Sequence, residues 1–127
     1  MSNKDALIYA AVGLSVWLNG AVTFRLAGRV LFENGPAIIA ISALVIAVLV
    51  CLIFRQTMIW RKANAAQAVT VAVIMALPGL FGEAVRQALF SWATGLDVGT
   101  APAFAATMFF GNAVLLTYAV VQSRIAL

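Results

Sequence analysis

Four apolar runs set the rhythm of the chain, at residues 6–27, 36–54, 65–93 and 101–121, with short polar stretches between them. A helix needs about 20 apolar residues to cross roughly 30 Å of hydrocarbon, and each run meets that length. The runs are continuously apolar, whereas strands of a membrane barrel alternate over about 10 residues. Helices are therefore predicted. The connections agree. Glu33-Asn34-Gly35-Pro36 reads as a turn, with Pro36 in the first turn of the second span. Residues 94–100 form a glycine-containing loop, and Pro102 opens the fourth span in the same way. Between the second and third spans, Arg55, Trp60, Arg61 and Lys62 form the mixture of bases and tryptophan expected at a headgroup boundary. The fold expected is all-α: one domain over residues 1–127, a polytopic membrane protein built as an antiparallel four-transmembrane-helix bundle.

Composition supports lipid as the solvent. Hydrophobic residues make up 65% of the chain and charged ones 9%. Soluble domains sit near ~45–50% and ~25%, so a water-soluble fold would expose too much apolar surface. The first run exceeds the ~7–15 apolar residues of a secretory signal, has Trp17 in its middle and is followed by no small-residue cleavage site, so it is read as a retained span.

Charge changes the picture in two ways. The net charge of +4 comes from bases scattered at the ends of apolar runs, not from a stripe, and so does not point to nucleic acid. With both termini on one side, that side holds Lys4, Arg55, Arg61, Lys62 and Arg124 against Asp5. The other holds Arg25, Arg29 and Arg86 against Glu33, Glu83 and Asp97, a balance of +4 against zero. The positive-inside rule then places both termini in the cytoplasm.

Candidate chemistry is sparse. There is no histidine and a single cysteine, Cys51, which removes His-ligated metal or haem, an intramolecular disulfide and the commonest general base. No metal or cofactor is expected. Without a nucleophile–base pair, with Glu83 as the only acid–base candidate, the chain leans away from an enzyme, which stays open as a third reading.

The third span carries the informative residues. Its unbroken apolar stretch, 68–82, is too short to cross alone, so either the helix continues through Glu83 and Arg86 within the membrane, the reading favoured, or Gln67 is drawn in and Glu83 sits at the outer headgroups. Gly79, Glu83, Arg86, Gln87 and Phe90 then share one inward face. Glu83 and Arg86 can pair within the helix, and Arg25, at similar depth on the first span, is the expected cross-helix partner. Three readings stand open: a structural ion pair, a ligand or ion site, or snorkelling toward headgroups. Pro78-Gly79 marks a helix kink just before Glu83. Asn19 and Asn112 lie near mid-membrane, where asparagine makes interhelical hydrogen bonds or lines a polar path. Gly13 with Gly20, and Thr107 with Gly111, leave shallow faces suited to close helix packing. A likeness between residues 27–32 and 85–90 is read as coincidence in an apolar alphabet rather than as a repeat.

Trp17, then Phe24-Arg25-Leu26-Ala27-Gly28, then Leu77-Pro78-Gly79, then Tyr118 form an ordering that resembles a family of short four-span bacterial membrane proteins catalogued only as a domain of unknown function. The resemblance implies the bacterial inner membrane and gives Arg25 and Pro78 weight as signature positions. It brings no activity. The chain does not resemble small multidrug exporters, whose working carboxylate lies in the first span, because no acid occupies 6–27.

Two functions lead. One is binding or transport of a small solute or amphiphile through an outward cluster of Arg25, Arg29, Glu83, Arg86 and Gln87, with Asn19 and Asn112 lining the deeper path. Four short helices enclose little volume, so a homodimer is expected there. The other is a non-catalytic accessory or scaffold protein. The lipid bilayer is the partner common to both.

Overall fold

A computed structural model describes residues 2–32, 35–89 and 101–125, with side chains described for all of these except 24, 25, 27–32 and 101–104. The described residues form four α-helices: α1 (Asn3–Phe32), α2 (Pro36–Trp60), α3 (Ala68–Leu89) and α4 (Ala101–Ile125). A 3-10 turn at Ala65–Gln67 leads into α3. Among the described residues there is no strand. The turn at Glu33-Asn34 and the loop 94–100 lie outside the described residues.

The helices outrun the apolar stretches that announce them. α2 continues past residue 54 to Trp60, and α4 past residue 121 to Ile125. Hydrophobicity marks where lipid ends, whereas a helix ends where its backbone finds other partners. At the end of α2 those partners are explicit. Lys62 adopts a left-handed φ of 56°, its N–H donates to the Ile59 carbonyl at 3.2 Å, and the Ala63 N–H donates to the Met58 carbonyl at 2.9 Å. This is a Schellman cap with lysine in the position glycine usually fills. Lys62→Gly should raise stability by about 1 kcal/mol, since the left-handed conformation costs a side-chain-bearing residue that much. Denaturant unfolding in detergent would register it, and an unchanged midpoint would mean the cap stores no such strain. α3 begins on a capping box. Asn64 Oδ1 accepts from the Gln67 N–H at 3.1 Å, and the Asn64 N–H donates to Gln67 Oε1 at 3.3 Å.

Helix directions alternate, but chain neighbours are not the main spatial neighbours. α1 packs most extensively on α3, α2 on α4, and α3 on α4, while α1 and α2 share less surface. Gly13 meets Met75 and Trp17 meets Gly79, so α1 and α3 run parallel. Phe54 meets Tyr118 edge-on at 6.0 Å between ring centroids, and Ile46 meets Gly111, so α2 and α4 do likewise. The closest approach is at Gly13, where an added Cβ would fall 1.9 Å from the Met75 carbonyl oxygen. Only glycine permits it. On α3, Ala68, Ala72 and Ala76 are buried at intervals of four and keep the packing surface shallow. Gly20, by contrast, has nothing within 4 Å of where a Cβ would stand. The expected packing role for Gly20 is corrected: it borders open space.

The apolar core of Tyr9, Phe54, Val71, Met75, Leu115 and Ala119 gathers toward the end where α1 starts and α4 finishes, the basal end. There Arg61 Nε donates to Asp5 Oδ1 at 3.2 Å, and its Nη2 to the same oxygen. The opposite, distal end holds the polar residues.

Candidate functional site: a buried carboxylate and a lateral groove

Glu83 lies about 22 Å of helix rise beyond Ala68, well into the distal half of the bundle. Because α3 runs unbroken to Leu89, Glu83 and Arg86 fall on its buried face, with exposures of 1% and 5%. Both carboxylate oxygens are engaged. Oε1 accepts from Arg86 Nε at 3.1 Å, from Arg86 Nη2, and from Gln87 Nε2 at 3.1 Å. Oε2 accepts from Arg86 Nε at 3.2 Å and from Trp17 Nε1 at 3.3 Å. The ion pair is local to α3, and the indole bond ties it to α1.

Trp17 is the residue that sequence reasoning missed. Its ring lies across α3 over a notch of small residues, so that a Cβ at Gly79 would come 3.4 Å from its Cβ and one at Gly82 would come 2.9 Å from its six-membered ring. A tryptophan in mid-span was the available signal, because a buried indole N–H requires an acceptor and the third span offered a carboxylate. Pro78, directly before the notch, sits inside α3 and leaves the Ile74 carbonyl without its helical donor.

The remaining candidates are placed separately. Arg25 and Arg29 belong to α1, but their side chains lie outside the described ones, as do Phe90, Glu33 and Asp97. Asn19 is exposed on the bundle surface and donates to the Ser15 carbonyl of its own helix at 2.8 Å. Asn112 does the same to Met108 at 2.9 Å. The interhelical bonds expected of the two asparagines are not their donor contacts, because an i−4 carbonyl lies nearer than any neighbouring helix.

The two asparagines instead mark two spaces. Asn112 lines a small, partly open cavity of about 50 Å³ with Gly13, Trp17, Met75 and Leu115. Asn19 lines a larger groove of about 670 Å³ between α1 and α2, open laterally. Val16, Ile46, Val50, Ile53 and Met108 border both, so the groove backs onto the cavity. The groove exists because α1 and α2 each prefer another partner. Its distal end carries Asn19, Thr23 and Ser42, and its basal part is lined by Leu49, Val50 and Ile53. Among the described residues, no group of three or more His, Cys, Asp or Glu could hold a metal ion.

Four helices long and apolar enough to cross a bilayer, at Asn3–Thr23, Pro36–Trp60, Ala65–Leu89 and Ala105–Ile125, define a multi-pass α-helical membrane protein. Within that class, the chain belongs to a family of unknown function (DUF5367), whose sequence model matches residues 30–126. The match includes Glu83 and Arg86 and begins after Trp17. No curated protein and no solved structure matches the chain.

Proposed function

We propose that this is a non-catalytic membrane protein that binds an amphiphile in the groove between α1 and α2. The observation that carries this reading is the distribution of polarity along the groove, with Asn19, Thr23 and Ser42 at one end and only apolar side chains toward the other. An amphiphile has the same asymmetry. Its head would meet the Asn19 carbonyl oxygen and the hydroxyls of Thr23 and Ser42. Its tail would lie against Leu49 and Ile53. Glu83 and Arg86 take a supporting role, because a carboxylate with both oxygens already bonded holds α1 on α3 and so fixes one wall of the groove. The charge balance of the two ends supports a basal end in the cytoplasm, and the family resemblance supports the bacterial inner membrane. Passage across the membrane would engage a second copy of the chain, since the cavity beside Asn112 alone is too small for a solute path.

Gly20 provides the test, because a side chain there enters the groove without touching the helix interface. In nanodiscs, dansyl-undecanoic acid should bind saturably to the wild type. Gly20→Leu should weaken that binding about tenfold, or 1.4 kcal/mol, with its melting temperature unchanged. Equal binding by the two proteins would eliminate the groove as the site.

The scaffold alternative draws on the fully bonded Glu83. It requires no ligand to raise the melting temperature and an untagged partner to co-purify stoichiometrically.

A further inference from the structure

A different face of α2 carries a second arrangement, independent of the groove above. Val48, Leu52, Arg55 and Ile59 recur at intervals of four and three, which places them on one stripe of α2, and Lys62 follows in the turn just beyond its end at Trp60. On α4, Phe110, Val114, Tyr118 and Gln122 recur at intervals of four and form a facing stripe. Both stripes change character at the same level. Distally, a cavity of about 260 Å³ is walled by side chains such as Val48, Phe110 and Val114. Basally, a cavity of about 630 Å³ is bordered by Arg55, Lys62, Asn64 and Gln122. Arg55 and Tyr118 border both, so an apolar trough runs directly into a basic one.

The basic part sits at the level where lipid headgroups lie. Trp60 and the Asp5–Arg61 pair occupy the same end of the bundle, and tryptophan with arginine marks that boundary. Arg55 and Lys62 are exposed, and among the described residues neither is in an ion pair. Among the described residues the acids that form ion pairs are engaged elsewhere, Asp5 by Arg61 and Glu83 by Arg86. Two cations bordering one cavity at the end of α2, with the Asn64 and Gln122 amides beside them, form a receptor for a phosphate and its glycerol.

The geometry points to a specific site for one anionic glycerophospholipid, with its phosphate between Arg55 and Lys62 and an acyl chain along the Val48–Val114 trough. Charge complementarity selects the anionic headgroup, and the continuous trough selects a whole lipid over a free anion. The left-handed cap at Lys62 belongs to the same site, since it turns the chain at the end of α2 and brings Asn64 to its rim.

Native mass spectrometry of the delipidated full-length chain tests this with phosphatidylglycerol and phosphatidylcholine of identical acyl chains. Retention of phosphatidylglycerol should exceed that of phosphatidylcholine about tenfold, equivalent to 1.4 kcal/mol. Arg55→Gln with Lys62→Gln should erase the preference while the melting curve of the apoprotein stays in place. Val114→Trp, which fills the trough, should reduce retention of both lipids. Glycerol 3-phosphate should fail to compete at equal concentration. Equal retention of the two lipids by the wild type, an intact preference in the double variant, or full competition by glycerol phosphate would each overturn the proposal. None of these substitutions lines the α1–α2 groove, so failure here is separable from failure of amphiphile binding there.

Discussion

Gly13→Leu is expected to abolish the folded bundle, and Gly13→Ala to destabilise it by about 3 kcal/mol, at the upper end of what overpacking costs. The reason is the partner. Most crowded side chains can rotate away, but the atom facing Gly13 is a backbone carbonyl oxygen at Met75, 1.9 Å from the position a Cβ would take. Relief therefore requires α1 to move bodily off α3, which would also pull Trp17 out of its notch and away from Glu83. Unfolding of the alanine variant by titration with a denaturing detergent gives the magnitude. A loss below about 1 kcal/mol would mean that the two helices are not pressed together there.

The second large effect concerns the buried pair. Glu83→Met or Arg86→Met alone should cost about 3–5 kcal/mol, because each leaves an uncompensated charge in a low-dielectric interior. Changing both to methionine should recover most of that loss, since the desolvation of two ions disappears along with their attraction. Some deficit should remain, about 1–3 kcal/mol, because the Trp17 indole N–H would lose its acceptor. Adding Trp17→Phe to the double variant should then cost little more. A double variant no more stable than the worse single one would show that the pair is not an isolated electrostatic unit. The same variants bear on function. If amphiphile binding in the groove survives every one of them that folds, the carboxylate belongs to the framework and not to the ligand.

The four spans were legible because crossing hydrocarbon imposes a length and a composition that few other structures share. The Glu83–Arg86 pair was legible for a related reason, since a charge on an apolar helix advertises its own cost and its neighbour in sequence supplies the remedy. What was not legible was anything that depended on which helix stands beside which. Trp17 meets Glu83 across 66 positions of sequence, and nothing in an apolar alphabet specifies that register. Gly13 and Gly20 looked equivalent, seven residues apart on one helix. One lies under a carbonyl and the other borders a void, a difference set by neighbours rather than by α1. The asparagines misled in a simple way: a polar side chain in lipid needs a partner, but its own helix supplies one without any neighbour. Lys62 gave no hint of a left-handed cap, because glycine is the residue that normally marks one.

The crosswise pairing of the helices also bears on how the molecule is made. The first hairpin leaves the ribosome before the surfaces that will hold it exist, since α1 relies chiefly on α3 and α2 on α4. Residues 3–60 must therefore wait in the bilayer as a loosely associated pair, and the arrival of the second hairpin closes both seams together. Two polypeptides divided at residues 63 and 64 and synthesised in the same cell should accordingly find each other and rebuild the bundle, because most of the adhesion between helices spans that division.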